Sequence, residues 1–223
     1  DILKNVLSST LKVKLGEAAY ERDGIIFNTI EYSWEALAGI MWAASRNNGQ
    51  LCVLDIGGSL GTTYFQNKKF LDHINLLSWN IIEQAHYVKT GIKYIQDEVL
   101  RFYDEINKCL DESNPNVILI SSSFQYIQEL DYYMSLIKNI GADVIIFDRT
   151  IIQKMHSNQI FVQHASSSIG GSYPCYSISE SWLINKLGKS YSLIEDFNSL
   201  LFPELETINS NFKGYIFSKN KIL

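Results

Sequence analysis

The stretch LCVLDIGGSLG, residues 51–61, decides the fold of this 223-residue chain. It opens with four apolar residues in a row, a pattern typical of parallel strands that are buried on both faces. Gly57, Gly58 and Gly61 follow, and glycines let the backbone adopt a positive φ and approach a ligand closely. Residues 62–71 can then form a helix. The stretch therefore predicts a strand, a tight turn and a helix in succession.

Strands and helices continue to alternate along the chain after this unit. Because consecutive parallel strands need crossover connections, the alternation predicts an α/β fold. The expected architecture is a Rossmann-like, doubly wound, mainly parallel sheet with helices on both faces. The additional strands are predicted at residues 79–82, 100–103, 117–120 and 144–147, and the additional helices at residues 85–96 and 127–140.

The chain length fits one α/β domain with an added segment. Residues 1–48 are predicted to form a helical flank or lid, with a helix at residues 34–45. Residues 49–223 are predicted to form the Rossmann-like domain. A substrate-facing insertion with antiparallel strands is expected near residues 151–190, and it includes a Ser/Gly-rich loop at residues 166–172.

The composition indicates a globular protein that acts on a small molecule. The net charge is −5 and the basic residues are scattered, which argues against nucleic acid as a partner. No apolar run approaches the roughly 20 residues that cross a bilayer, so no membrane span is predicted. The three cysteines form no CxxC pair, which favours a reduced, cytoplasmic setting. The four histidines lack metal-site spacing, so no metal is predicted, and the oligomeric state stays open.

The charge of the glycine turn indicates which ligand it suits. A dinucleotide fingerprint would read GxGxxG and hold a pyrophosphate at the helix N-terminus. This turn does not match that pattern, and Asp55 at its start would repel a pyrophosphate. S-adenosylmethionine carries an ammonium and a sulfonium and no phosphate, so an acid beside the turn favours it. A tight turn without a ligand is the alternative.

Two other strand ends carry polar residues. Glu83 closes the second strand, where its two oxygens could accept from both ribose hydroxyls, although an exposed strand-end acid is the alternative. Ser121, Ser122 and Ser123 follow the fourth strand, at the edge where open α/β sheets bind ligands. They could line the methionine end of the cofactor, cap a helix, or do both.

With these residues placed, the chain resembles the class I S-adenosylmethionine-dependent methyltransferases. More narrowly, it is similar to a small bacterial family of methyltransferases associated with surface-polysaccharide gene regions. The resemblance covers about residues 20–217 and implies a seven-stranded sheet whose last strand is antiparallel, with strands six and seven at residues 191–194 and 215–217. It is carried by DIGGSLG (55–61), YFQ (64–66), WNIIEQ (79–84), SSSFQY (121–126), DRT (148–150) and SYPC (172–175).

The resemblance identifies S-adenosylmethionine as the cofactor. Ser59 departs from the general class because a glycine is commonly found at its position. The residues predicted to bind the cofactor are Asp55, Gly57, Gly58, Ser59, Gly61, Glu83, Gln84, Ser121, Ser122 and Phe124.

Candidate residues for chemistry lie beyond the fourth and fifth strands. Asp148 and His164 are the candidate general bases, and Asp148 could instead hold Arg149 through an ion pair. Arg149 could receive an anionic acceptor through its bidentate fork, or be structural. Tyr126 and Tyr173 are predicted to line the acceptor pocket, where an aromatic ring could stack on a sugar face; packing is the alternative for Tyr173.

These features predict an S-adenosylmethionine-dependent methyltransferase that methylates an oxygen of a small molecule, such as a sugar or sugar precursor in surface-polysaccharide synthesis. A noncatalytic S-adenosylmethionine-binding domain that supports a partner enzyme is one alternative. A nicotinamide-dependent sugar-modifying enzyme is another. The missing GxGxxG counts against it, as does the position of the only Tyr-x-x-x-Lys pair, Tyr64 and Lys68, in the first helix after the glycine turn.

Overall fold

A computed structural model describes residues 2–164, 171–199 and 209–220 of the chain. The chain forms two compact units, Asp1–Leu119 and Ile120–Leu223. Most of the predicted Ser/Gly-rich loop, residues 166–172, lies outside the described residues.

The first unit begins with a flank that is only partly helical. Its helices are α1 (Ile2–Lys14) and α2 (Trp34–Arg46), and between them β1 (Tyr20–Arg22) pairs antiparallel with β2 (Ile25–Phe27). The region predicted as a helical flank thus contains a short hairpin between its two helices. Asp23 and Gly24 form its turn, both with positive φ, as a two-residue Asp-Gly hairpin turn requires.

A parallel array of four strands follows in the first unit. β3 pairs with β4 on one side and with the first residues of β6 on the other, and β4 pairs with β5. All these pairings are parallel, as the alternation of strands and helices predicts. The elements are β3 (Gln50–Ile56), α3 (Thr62–Leu71), β4 (Leu76–Ile82), α4 (Ala85–Tyr94), β5 (Leu100–Tyr103), α5 (Ile106–Glu112) and β6 (Val117–Ser121).

The outer edge of β5 is closed by neighbouring side chains. The Leu100 backbone N–H donates to Asp97 Oδ1 at 2.7 Å, and the Phe102 N–H donates to Gln96 Oε1 at 3.3 Å. These backbone donors, which a further strand would otherwise use, are thus occupied.

The second unit contains the last strands and the insertion. β11 pairs antiparallel with both β7 and β10, so the predicted antiparallel last strand is present. β9 pairs antiparallel with β8 and parallel with the end of β7. The elements are a 3-10 turn (Phe124–Tyr126), α6 (Leu130–Ile140), β7 (Val144–Gln153), β8 (Gln159–His164), β9 (Ser172–Ser179), α7 (Glu180–Leu187), β10 (Tyr191–Asn198) and β11 (Asn211–Lys219).

β7 contains a bulge at Asp148 and Arg149. Lys213 of β11 pairs with Thr150 and Tyr215 pairs with Phe147, so two residues of β7 oppose the single residue Gly214. Arg149 adopts a left-handed φ of 49°. A bulge of this kind redirects side chains locally and is common next to functional sites.

All seven strands predicted from the sequence are present, which confirms the mainly parallel α/β class. None of the described helices is long and apolar enough to cross a bilayer.

Candidate functional site

The glycine loop after β3 has the backbone that its sequence predicts. Gly57 and Gly61 have φ values of 75° and 100°, and Gly61 is the N-cap of α3. Ser59 also adopts a left-handed φ of 55°. Glycine adopts this conformation without strain, whereas the side chain of Ser59 is strained in the left-handed region.

Asp55 lies buried directly beneath this loop. Its side chain is 1% exposed, and Oδ2 accepts a hydrogen bond from Trp79 Nε1 at 3.0 Å. A Cβ added to Gly58 would lie only 2.5 Å from Asp55 Oδ2. Glycine at position 58 therefore allows the backbone to pass over a carboxylate that would collide with any larger residue.

Glu83 ties the end of β4 to the same loop. Its Oε1 accepts from the Ser59 backbone N–H at 3.2 Å, and its Oε2 accepts from the Gln84 N–H at 2.8 Å. Burial raises the pKa of the Glu83 carboxyl, while these two N–H donors act in the opposite direction. Gln84 is exposed and forms the N-cap of α4. The ends of two adjacent parallel strands thus bring Asp55 and Glu83 to one loop.

Ser121, Asp148 and Arg149 form a buried cluster in the second unit. Arg149 Nε lies 3.0 Å from Asp148 Oδ2, and both side chains are at most 4% exposed. Ser121 Oγ donates to Asp148 Oδ2 at 3.0 Å and accepts from Arg149 Nη2 at 2.8 Å. The Ser122 N–H donates to the Asp148 carbonyl at 2.9 Å. Asp148 thus forms an ion pair with Arg149, the role that the sequence analysis gave as the alternative to a general base. The guanidinium contacts with Asp148 and Ser121 are both contacts with other protein side chains.

Phe124 packs in the core of the second unit. Its side chain is completely buried, with its ring 5.0 Å from that of Phe147 and 6.5 Å from that of Trp182. The role of Phe124 in cofactor binding stays a prediction. Ser123 precedes the 3-10 turn but its side chain does not cap it, so the helix-cap alternative for the serines is not observed at this residue.

Tyr126 and Tyr173 form an aromatic surface in the second unit. Their ring centroids lie 5.4 Å apart in a T-shaped arrangement, and the rings are 40% and 38% exposed. Tyr126 Oη donates to Gln163 Oε1 at 2.9 Å, and partial burial raises the pKa of this phenol. The hydrogen bond holds the Tyr126 ring, while both tyrosines stay partly exposed. Sequence reasoning missed Gln163. The feature that identifies this residue is its pairing with Tyr173 between β8 and β9, which is known only from the structure.

His164 is the last residue of β8, where it pairs with Ser172, and its side chain is exposed. It directly follows Gln163, so its side chain leaves the opposite face of the strand. Within residues 2–164, 171–199 and 209–220, no group of three His, Cys, Asp or Glu side chains could hold a metal ion. Cys52, Cys109 and Cys175 are free thiols.

The sequence matches no family model and no curated protein. Solved structures share its fold. A methyltransferase of Clostridium acetobutylicum that depends on S-adenosylmethionine superposes with a TM-score of 0.55 at 11% identity, covering 86% of this chain and 94% of its own. The N-terminal domain of EvdMO1, solved in the presence of S-adenosylhomocysteine and D-fucose, gives 0.52 at 12% identity, with 95% of each chain covered. Magnesium protoporphyrin IX methyltransferase of Synechocystis, with bound S-adenosylmethionine, gives 0.52 at 12% identity, covering 84% of this chain and 79% of its own. At these identities the likeness establishes the Rossmann-like methyltransferase fold.

Proposed function

We propose that this chain is an S-adenosylmethionine-dependent methyltransferase that binds its cofactor at the glycine loop between Asp55 and Gly61. The observation that carries the proposal is the convergence of Asp55 and Glu83 on this loop. Asp55 lies beneath Gly58, and Glu83 accepts from the Ser59 N–H. The neighbours solved with S-adenosylmethionine or S-adenosylhomocysteine share the overall fold of this chain, which supports the same cofactor class.

The electrostatics of the loop favour a cationic cofactor. Asp55 is almost completely buried, where its charge acts through a low dielectric and is poorly screened. Glu83 adds a second carboxyl whose remaining lone pairs can accept from ribose hydroxyls. A pyrophosphate would meet both acids at short range, whereas the ammonium and sulfonium of S-adenosylmethionine would be attracted.

We further infer that the acceptor is a small, uncharged molecule with a ring, such as a sugar, and that an oxygen is methylated. Tyr126 and Tyr173 offer exposed aromatic rings, and Gln163 offers an amide beside them. Arg149 already makes an ion pair with Asp148, which favours an uncharged acceptor over an anionic one. The EvdMO1 domain was solved in the presence of D-fucose, which supports a sugar as the first compound class to test. The resemblance noted above adds surface-polysaccharide synthesis as the proposed setting.

His164 is the proposed general base for this reaction. Its imidazole is exposed at the end of β8, whereas the Asp148 carboxylate makes an ion pair with Arg149. A hydroxyl acceptor gains from a group that removes its proton during transfer, and an imidazole nitrogen can accept that proton.

Calorimetric titration tests the cofactor assignment. Wild-type protein is expected to bind S-adenosylmethionine and S-adenosylhomocysteine but not NAD. Asp55→Asn should weaken S-adenosylmethionine binding at least tenfold, because the substitution removes the charge while keeping an acceptor for Trp79 Nε1. Asp72→Asn makes the same change at an exposed position and should bind normally. Retained affinity in Asp55→Asn would contradict the loop assignment, and binding of NAD alone would contradict the proposed cofactor.

A methyl-transfer screen with labelled cofactor tests the acceptor assignment. Once a sugar acceptor is found, Tyr173→Ala should raise KM for it at least tenfold, because the stacking surface is lost. Its affinity for S-adenosylmethionine should stay unchanged. Tyr132→Ala removes an exposed tyrosine of α6 and serves as the matched control. Equal losses of acceptor and cofactor binding in Tyr173→Ala would contradict the assignment.

A noncatalytic cofactor-binding domain is the second candidate. The ion pair of Asp148 with Arg149 favours it, since one of the two candidate bases is already engaged. Cofactor binding without transfer to any sugar, alone or with a partner enzyme, would identify this alternative.

A further inference from the structure

Glu21 is a buried carboxylate that sequence reasoning did not single out. It lies in β1 with only 2% of the residue exposed. Its Oε1 accepts a hydrogen bond from Thr62 Oγ1, and its Oε2 accepts from the Gly24 N–H at 3.2 Å. Thr62 is the first residue of α3 and directly follows Gly61, the last glycine of the loop. Glu21 therefore connects the N-terminal hairpin to the junction between loop and helix.

The hairpin that carries Glu21 is itself held against α1. Ser9 Oγ of α1 donates to the Gly24 carbonyl at 2.7 Å. A Cβ on Gly24 would lie 3.1 Å from the Val6 backbone nitrogen, so the hairpin turn approaches the backbone of α1 closely. Glu21 thus connects the hairpin, which is packed against α1, to Thr62 and through Thr62 to the glycine loop.

Burying the charged carboxylate of Glu21 lowers the stability of the folded chain. Burial raises the pKa of its carboxyl, and Asp23 raises it further, whereas hydrogen bonds from Thr62, Gly24 and Thr10 lower it. The net shift is upward, which means that the charged form is less favourable in the folded than in the unfolded chain. Buried acids of this kind are enriched at functional sites, because selection retains them there for a purpose other than stability.

We propose that Glu21 is a positioning residue for the cofactor, which fixes the glycine loop and the first turn of α3 through its hydrogen bond with Thr62. The proposal rests on the proposed function, in which this loop binds S-adenosylmethionine. Glu21 acts on the backbone that binds the ligand and need not touch the ligand itself. The hairpin then serves as the support of the cofactor loop from the N-terminal side.

The test measures cofactor affinity and stability of the full chain in parallel. In Glu21→Gln, calorimetric titration should show at least tenfold weaker binding of S-adenosylmethionine, because the amide keeps one acceptor oxygen, so Thr62 or Gly24 loses its charged acceptor and the hydroxyl of Thr62 must reorient toward an NH2 donor or a neutral oxygen. The thermal unfolding midpoint at pH 7 should not fall, because the cost of the buried charge is removed. Glu35→Gln, the same change at an exposed site, should alter neither quantity.

A double-mutant cycle identifies the route of the effect. Thr62→Val removes the hydroxyl donor and should also weaken binding. Both substitutions break the same hydrogen bond. The affinity of the double variant for S-adenosylmethionine should therefore be no lower than that of the single variant with the lower affinity. Fully additive losses would overturn the proposal.

Two further outcomes would also overturn it. One is unchanged affinity in Glu21→Gln while wild-type protein binds S-adenosylmethionine; in that case only this inference fails. The other is a loss of affinity together with a lower unfolding midpoint, which would indicate a purely structural role. If the wild-type protein itself fails to bind S-adenosylmethionine, the proposed function falls, and the positioning role falls with it.

Discussion

Asp55 and Gly58 show how one residue limits the choice at another. The carboxylate of Asp55 is held by Trp79 Nε1 and lies where a side chain at position 58 would begin. Glycine at this site is required by close approach, whereas glycine at positions 57 and 61 is favoured by positive φ. Three glycines that look alike in the sequence therefore serve two different physical purposes.

Replacing Gly58 by alanine is expected to lower the free energy of unfolding by about 1–3 kcal/mol, the usual cost of overpacking. The new Cβ would force the Asp55 carboxylate away from Trp79 and distort the loop. Urea denaturation measures the loss, and calorimetry should show weaker S-adenosylmethionine binding.

The comparison that checks this cause is made in an Asp55→Ala background. There the added Cβ meets no carboxylate, so Gly58→Ala should cost much less. An equal cost in both backgrounds would show that the collision with Asp55 is not the reason.

At the level of elements, the sequence predicts the strands well where they are short and apolar. β3 and β5 lie where the apolar runs predict them, and α3 spans the predicted residues 62–71. β7 is predicted only to residue 147, because the charged pair Asp148 and Arg149 reads as the end of a strand. In the structure the two charges neutralise each other, so β7 continues to Gln153 with every residue buried.

The candidate site, like the strands, was partly predictable from the sequence. The glycine loop and Glu83 follow from strand ends, which local patterns mark. Glu21 and Gln163 lie on short hairpin strands whose partners are set by tertiary contacts, and such contacts leave little local signal. The Asp23-Gly24 pair between Arg22 and Ile25 was the one available indication of the first hairpin.

For the whole molecule, two acids of the first unit set a pH dependence, the buried Glu21 and the half-buried Glu83. Burial raises the pKa of both Glu21 and Glu83 above the ordinary value of 4.5. The folded chain therefore holds these protons more tightly than the unfolded chain. Their contribution to stability is present below about pH 4.5 and is lost as the pH rises through the folded pKa values.

Glu83→Gln should remove one of these contributions. The difference in unfolding free energy between Glu83→Gln and wild type should shift in favour of the variant as the pH rises from 4.5 to 7.5. The slope should not exceed about 1.4 kcal/mol per pH unit for the single proton involved. Urea denaturation across this range measures it, with Glu35→Gln as an exposed control. A pH-independent difference would contradict a raised pKa at Glu83.

The closed edge of β5 has a consequence for the chain in concentrated solution. Open strand edges template the stacking of one molecule on another, the first step toward fibrils. With the backbone donors of Leu100 and Phe102 already bound to Asp97 and Gln96, this edge offers an incoming strand few bonds. The side chains of Gln96 and Asp97 thus disfavour the pairing of this edge with a strand of another molecule, and this effect requires no ligand.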